Sequence, residues 1–227
     1  MRKKSIFISD LTHTQNGIMA ATFPLGASCI YAYAKKELAN KFNFKLFKFP
    51  LKLNESLIET SPAVMSFSNF EWNLELSYKF AILAKARDSK VVTVMGGPNF
   101  PIDDEEKVKF FKNRPALDFV VELEGELAFV DLIKKFSDYN FNIKALKKNE
   151  EKITNTCYVN EGHLVSGPIS RIQNINVIPS PYLTGAMDEF FDHPLVPIME
   201  TTRGCPFSCS FCADGLASKN KIHRYDP

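Results

Sequence analysis

Near the end of the chain Cys205, Cys209 and Cys212 fall within eight residues, with three and then two residues between successive cysteines. Thiolates are soft ligands that select iron–sulfur clusters or zinc. A loop this short can hold three irons of one cubane cluster and leave the fourth open. An open iron is useful only when a substrate or cofactor fills it. Zinc would need a fourth ligand, which His193 or His223 could supply. Cys29 and Cys157 stand alone, and an odd total of five cysteines argues against a disulfide framework.

A second set of chemistry-bearing residues lies in loops. Residues 10–23, 66–69, 96–98 and 122–126 each adjoin the end of a short apolar, β-rich run. In an open parallel sheet, ligands bind beyond the carboxyl ends of the strands. Glycines such as Gly96 and Gly97 let a ligand approach the backbone closely.

The runs that must position these loops are residues 6–8, 44–49, 63–67, 91–95 and 118–121. The run at 63–67 does not alternate, as expected for a strand buried on both faces. Pro24 is placed to open a helix through Leu38, and Trp72, Leu76, Phe80, Leu83 and Ala84 recur at helical spacing. Asp104–Lys112 reads as a short helix with acidic residues in its first turn, and Phe129, Leu132, Ile133 and Phe136 give a last apolar stripe. Five strands alternating with helices predict a doubly wound α/β domain with a parallel five-stranded sheet over residues 1–140. Residues 141–194 read as a linker, with a charged stretch from Lys144 to Lys152, a β-hairpin at 156–165 and a proline-punctuated connector. Residues 195–227 form a third part, in which 196–199 reads as one more strand running into the cysteines.

Hydrophobic residues make up 45% of the chain and charged residues 24%, the composition of an ordinary globular protein, and 20 phenylalanines suffice for a large core. With 28 basic and 26 acidic side chains, bulk charge gives no reason to expect nucleic acid as a partner. No apolar run reaches the roughly 18–20 residues needed to cross a bilayer, and the first apolar run is too short for a signal peptide. The expectation is a cytoplasmic protein with no membrane partner.

The cysteine spacing, with the aromatic Phe211 just before the last cysteine, resembles the signature of the radical S-adenosylmethionine superfamily. The resemblance implies that Cys205, Cys209 and Cys212 hold a 4Fe-4S cluster whose open iron chelates S-adenosylmethionine, with Phe211 near its adenine. It implies reductive cleavage of that cofactor to a 5′-deoxyadenosyl radical, with an electron donor such as flavodoxin or ferredoxin. Residues 196–199 would then be the first strand of a partial (β/α) barrel.

The loops of residues 1–140 resemble the cobalamin-binding, flavodoxin-like domain that precedes many radical S-adenosylmethionine enzymes. The residues that carry this are Ser66 and Ser68, then Gly96 and Gly97, then the Gly125-Glu126 helix start. Leu is usual where Ser68 stands. Asp10, His13 and Gly17 come close to the Asp-x-His-x-x-Gly signature that supplies a histidine to cobalt, but each gap is one residue longer. By this resemblance Thr12, His13, Ser66, Ser68, Gly96, Gly97 and Gly125 would face cobalamin. The implied reaction on a small-molecule substrate is methyl transfer or a radical rearrangement. Fifteen residues after Cys212 fall far short of a barrel, so the chain alone is expected to be inactive, as a truncated product or one half of a split enzyme. The competing expectations are a non-catalytic cobalamin- or nucleotide-binding module and a small zinc-binding α/β protein.

Overall fold

A computed structural model describes residues 3–15, 17–212 and 221–225. The first strand, β1 (Lys4–Ser9), is followed by α1 (Leu25–Leu38), β2 (Phe42–Phe47), α2 (Pro50–Glu59), β3 (Val64–Ser68), α3 (Leu74–Arg87), β4 (Val92–Gly96), α4 (Asp104–Lys112), β5 (Phe119–Val121) and α5 (Gly125–Asp138). The strands of this stretch form a parallel sheet in the order β2-β1-β3-β4-β5. That order reverses between β1 and β3, the switch point at which doubly wound sheets bind ligands. Alternation along each strand feeds two cores: Ile6 and Ile8 pack on one face, Phe7 on the other.

Local chemistry explains several element ends. Pro50 occupies the first turn of α2, where its missing N–H costs nothing. Asp103 caps α4 by accepting from the backbone N–H groups of Glu105 and Glu106.

Three expectations from the sequence are corrected. The second strand ends at Phe47, and the chain turns directly into α2, a helix that the apolar pattern does not announce; its buried face is only Leu53 and Leu57. The hairpin expected within a linker, β6 (Thr156–Asn160) and β7 (His163–Ser166), instead extends the sheet to seven strands, because β6 pairs antiparallel with β5. A short helix, α6 (Ile143–Lys148), bridges to it. Residues 196–199 form no strand; Val196 makes a single bridge to Thr22, and Pro197 lacks the donor that a longer ladder would need. Beyond it, β8 (Thr202–Arg203) pairs with β9 (His223–Arg224). Among the described residues no helix is long and apolar enough to cross a membrane.

Candidate functional site

A cavity of about 490 Å³ opens at the carboxyl ends of the parallel strands. Ile8, Val94 and Val121 form its sheet wall, and Ala27 and Ile30 of α1 with Phe129 of α5 form the opposite one. Two features bring backbone to its edge. Gly97 has φ of 137°, and a Cβ there would sit 2.6 Å from the carbonyl oxygen of Asn69. A Cβ on Gly125 would lie 2.8 Å from Cδ1 of Ile30, so the glycine sets how closely α5 approaches α1. Leu123, also in the lining, takes φ of 58°, a left-handed conformation that leucine rarely adopts.

Of the residues expected to face cobalamin, Ser66, Ser68, Gly96, Gly97 and Gly125 line this cavity together. Thr12 and His13 do not. Thr12 is buried, and its hydroxyl accepts from the backbone N–H of Ala20, which shapes the loop after β1. His13 meets that loop through its carbonyl, which accepts from the Met19 N–H.

The polar floor centres on Asp10. Its Oδ2 accepts from the Lys48 ammonium at 2.9 Å. Its Oδ1 accepts from the Ser68 hydroxyl and, at 3.4 Å, from the Asn73 amide, which also donates to Ser68 at 2.8 Å. Both carboxylate oxygens are therefore engaged away from His13. Lys48 and Asn73 carry no signal in the sequence, because they meet Asp10 across 38 and 63 residues of chain. Trp72, expected on a helical stripe, precedes α3 instead and lies at the cavity stacked on Phe70, with ring centroids 4.5 Å apart and planes 6° apart.

The segment after β5 carries Glu122, Glu124 and Glu126, and each meets a different base: Lys107 at 2.9 Å, Arg171 at 2.9 Å and Arg203 at 2.6 Å. Arg203 belongs to the cysteine loop and lines both the main cavity and a second cleft of about 340 Å³ that includes Cys205. Cys205 is half-buried, and Cys209 and Cys212 are exposed, as is Phe211. Among the described residues no three potential metal ligands converge on one point, so the cysteines expected to share a cluster lie along an open loop. Such a loop fits the physics of thiolate sites, in which metal binding itself gathers the ligands. The donor set, three soft thiolates in one short loop, is the chemistry that a 4Fe-4S cluster takes. Burial, reinforced by nearby carboxylates, pushes the Cys29 and Cys157 thiols up, and both lie buried away from the cysteine loop.

No family model matches the chain. It is 30% identical over 224 residues to the 2-(S-pantetheinyl)-carbapenam-3-carboxylate methyltransferase of Streptantibioticus cattleyicolor, covering 92% of this chain and 31% of that protein. It is 28% identical over 222 residues to the cobalamin-dependent radical SAM methyltransferase TokK of Streptomyces tokunonensis, covering 89% of this chain and 30% of that protein. An uncharacterized methyltransferase of Pyrococcus horikoshii is 34% identical over 145 residues, or 62% of this chain and 29% of that protein. The solved structure of the cobalamin-dependent S-adenosylmethionine radical enzyme OxsB, with aqua-cobalamin and S-adenosylmethionine bound, superposes with a TM-score of 0.69 at 18% identity, over 99% of this chain and 30% of that one, and shares its fold. The chain spans about 30% of the length of these proteins, and over that span it is a homologue of cobalamin-dependent radical S-adenosylmethionine methyltransferases.

Proposed function

We propose that the chain forms the cobalamin-binding part, and carries the cluster loop, of a radical S-adenosylmethionine enzyme that transfers a methyl group to a small molecule. The observation that carries this reading is the cavity at the β1/β3 switch point: apolar side walls, a polar floor, and backbone brought to its edge by Gly97. Such a site suits a cofactor with a buried aromatic nucleotide tail and a larger polar body outside it. Relatives named as methyltransferases favour methyl transfer over rearrangement.

When bound, cobalamin supplies a methyl carrier, and the cluster, fed by a one-electron donor of the flavodoxin or ferredoxin kind, supplies the electron that opens the sulfonium of S-adenosylmethionine. The chain's own residues do the positioning. Ser66, Ser68, Gly96, Gly97 and Gly125 surround the nucleotide tail, while the apolar walls exclude water from it. Thr12 fixes the loop after β1, and His13, which stands outside the cavity lining, would take no part in holding the nucleotide tail. Cys205, Cys209 and Cys212 hold the cluster, with Phe211 beside the adenine of its cofactor.

The test is retention of hydroxocobalamin by the purified protein. After gel filtration, corrinoid absorbance is expected to travel with the protein at about one per chain. Trp72, the single tryptophan and part of the cavity lining, is expected to be quenched. Corrinoid that elutes entirely free, with unchanged fluorescence, would sink the reading.

A further inference from the structure

We propose that Arg203 is a positioning residue that couples the cavity to the cysteine loop, so that a corrinoid in the cavity and a cluster on the loop each strengthen the binding of the other. The proposal rests on the corrinoid reading of the cavity and adds to it a route by which the two sites communicate.

Arg203 stands two places before Cys205. Its backbone pairs with His223 across β8 and β9, so it closes the neck through which the cysteine loop leaves and returns. Just past that neck Tyr225 packs with Cys29, Ile172 and Ile175, and its N–H donates to the Thr201 carbonyl at 3.3 Å. That apolar anchor lies outside the cavity lining, whereas the ionic one faces it. The Arg203 guanidinium engages Glu126 through both terminal nitrogens and Glu200 through Nε. Arg203 and Glu126 both line the main cavity, and Arg203 also lines the cleft that holds Cys205. Of the three bases that meet the segment after β5, Arg203 alone reaches both spaces. Lys107, on Glu122, lines neither, and Arg171, on Glu124, lines only the cleft.

A ligand seated against the Arg203–Glu126 pair excludes water from it, and an ion pair strengthens as the medium around it becomes less polar. The neck of the loop is then held more firmly. Cys209 and Cys212 are exposed on an open loop, so gathering three thiolates around one cluster requires that loop to be ordered. Ordering imposed from the cavity side lowers this entropic cost for the cluster. Linkage makes the effect reciprocal, so a bound cluster tightens the corrinoid by the same factor.

The experiment measures the dissociation constant of cyanocobalamin by ultrafiltration, for cluster-free protein and for protein reconstituted anaerobically with iron and sulfide. Cyanide on the cobalt keeps free thiols from ligating it. The unaltered protein is expected to bind about fivefold more tightly, or better, once the cluster is present. Glu126→Gln leaves Arg203 its Glu200 partner, and Arg203→Lys loses the two-pronged contact. Each should still bind both groups but bring the ratio of the two constants close to one. Lys107→Met breaks the neighbouring buried pair and is the control: it should lower stability and leave the ratio unchanged. A merely structural role for Arg203 would also lower stability without moving the ratio. Thermal unfolding confirms that the variants fold, and one folded variant of the two decides. A ratio near one in the unaltered protein, or an undiminished ratio in a folded variant, overturns the coupling. Alkylation of Cys205 by iodoacetamide, with and without cyanocobalamin, decides if no cluster assembles. Slowing by the corrinoid in the unaltered protein but not in Glu126→Gln supports the coupling, and equal slowing in both, or none in either, overturns it. If no corrinoid binds in any form, the functional reading fails by itself. The positioning role then stands only if Cys205 is alkylated faster in Glu126→Gln than in the unaltered protein and Lys107→Met, and falls if the rates are equal.

Discussion

Arg203 donates from both terminal nitrogens to the two carboxylate oxygens of Glu126, at 3.0 and 2.6 Å. The pair ties the residue two places before Cys205 to the first turn of α5, and the Arg203 Nε donates in addition to Glu200 at 2.8 Å. Both partners are largely buried, with side-chain exposures of 12% and 4%. Bidentate geometry of this kind suits arginine and not lysine. The cysteine loop is thereby fixed against the cavity by a contact that spans 77 residues of sequence.

Removing Arg203 leaves Glu126 as an uncompensated buried charge, which costs about 3–5 kcal/mol in such pairs, whereas removing Glu126 leaves Arg203 still paired with Glu200. Arg203→Met is therefore expected to lower unfolding free energy by about 3 kcal/mol and Glu126→Met by less, with the double variant well short of their sum. Urea denaturation measures this. Additive losses would mean that the two side chains act separately.

Gly97 and Gly26 give opposite expectations for the same substitution. An alanine at Gly97 needs φ of 137° and drives its Cβ to 2.6 Å from the Asn69 carbonyl oxygen, so the loop must shift. Destabilisation of about 1–3 kcal/mol and weaker corrinoid binding should follow. Gly26 lies in α1, and a Cβ added there would have open space around it, with nothing within 4 Å. Gly26→Ala should leave stability unchanged or raise it by up to about 1 kcal/mol. Since Gly26 lines the cavity, any loss of binding there reports occupancy of the space and leaves folding out of it. Equal thermal midpoints for the two variants would contradict the close approach at Gly97.

The parts of the fold that were legible share one property: they depend on neighbours in sequence. Residues 63–67 and 91–95 are apolar on both faces, and β3 and β4 are central strands that need that pattern. α2 was not legible because only Leu53 and Leu57 mark its buried face. Residues 196–199 mimic a strand in composition, yet they depend on a partner edge that Pro197 discourages. In the site, Ser66, Ser68, Gly96 and Gly97 were readable from their place after strands. The network of Asp10, Lys48 and Asn73 was not, because its links span 38 and 63 residues and exist only once β1, β2 and β3 lie side by side. The cysteine spacing was readable, while convergence of the thiolates awaits the metal that would gather them.

Thiol reactivity separates the two kinds of cysteine. Burial, then the charge of Glu126, pushes Cys29 up to about 12, and burial with Glu122 pushes Cys157 up as well. At pH 8 iodoacetamide should modify Cys205, Cys209 and Cys212 and spare Cys29 and Cys157, as read by mass spectrometry. The linked stability change has a definite sign. An unfolded thiol ionises near pH 9 while the folded Cys29 stays protonated, so stability is full below about 9 and declines as pH rises toward 12. Alkylation of Cys29 in the folded protein at pH 8 would show that its pocket is open.

Cluster assembly is the last consequence, and it distinguishes a cubane site from a zinc site. Cys205 borders the cleft shared with Arg203, and the backbone N–H of Cys212 donates to the Cys209 carbonyl at 3.1 Å, a turn that keeps these two thiols on one short arc. Anaerobic reconstitution with iron and sulfide should therefore yield a broad visible absorbance and about four irons per chain. Cys209→Ala should abolish both, because two remaining thiolates cannot retain a cubane, while Cys157→Ala, whose thiol is buried in the sheet, should keep full iron. A fall in iron for Cys157→Ala with its fold intact would put the metal elsewhere. One zinc per chain with no iron would instead require a fourth ligand, and His223 is the candidate near the loop, since β9 pairs with β8.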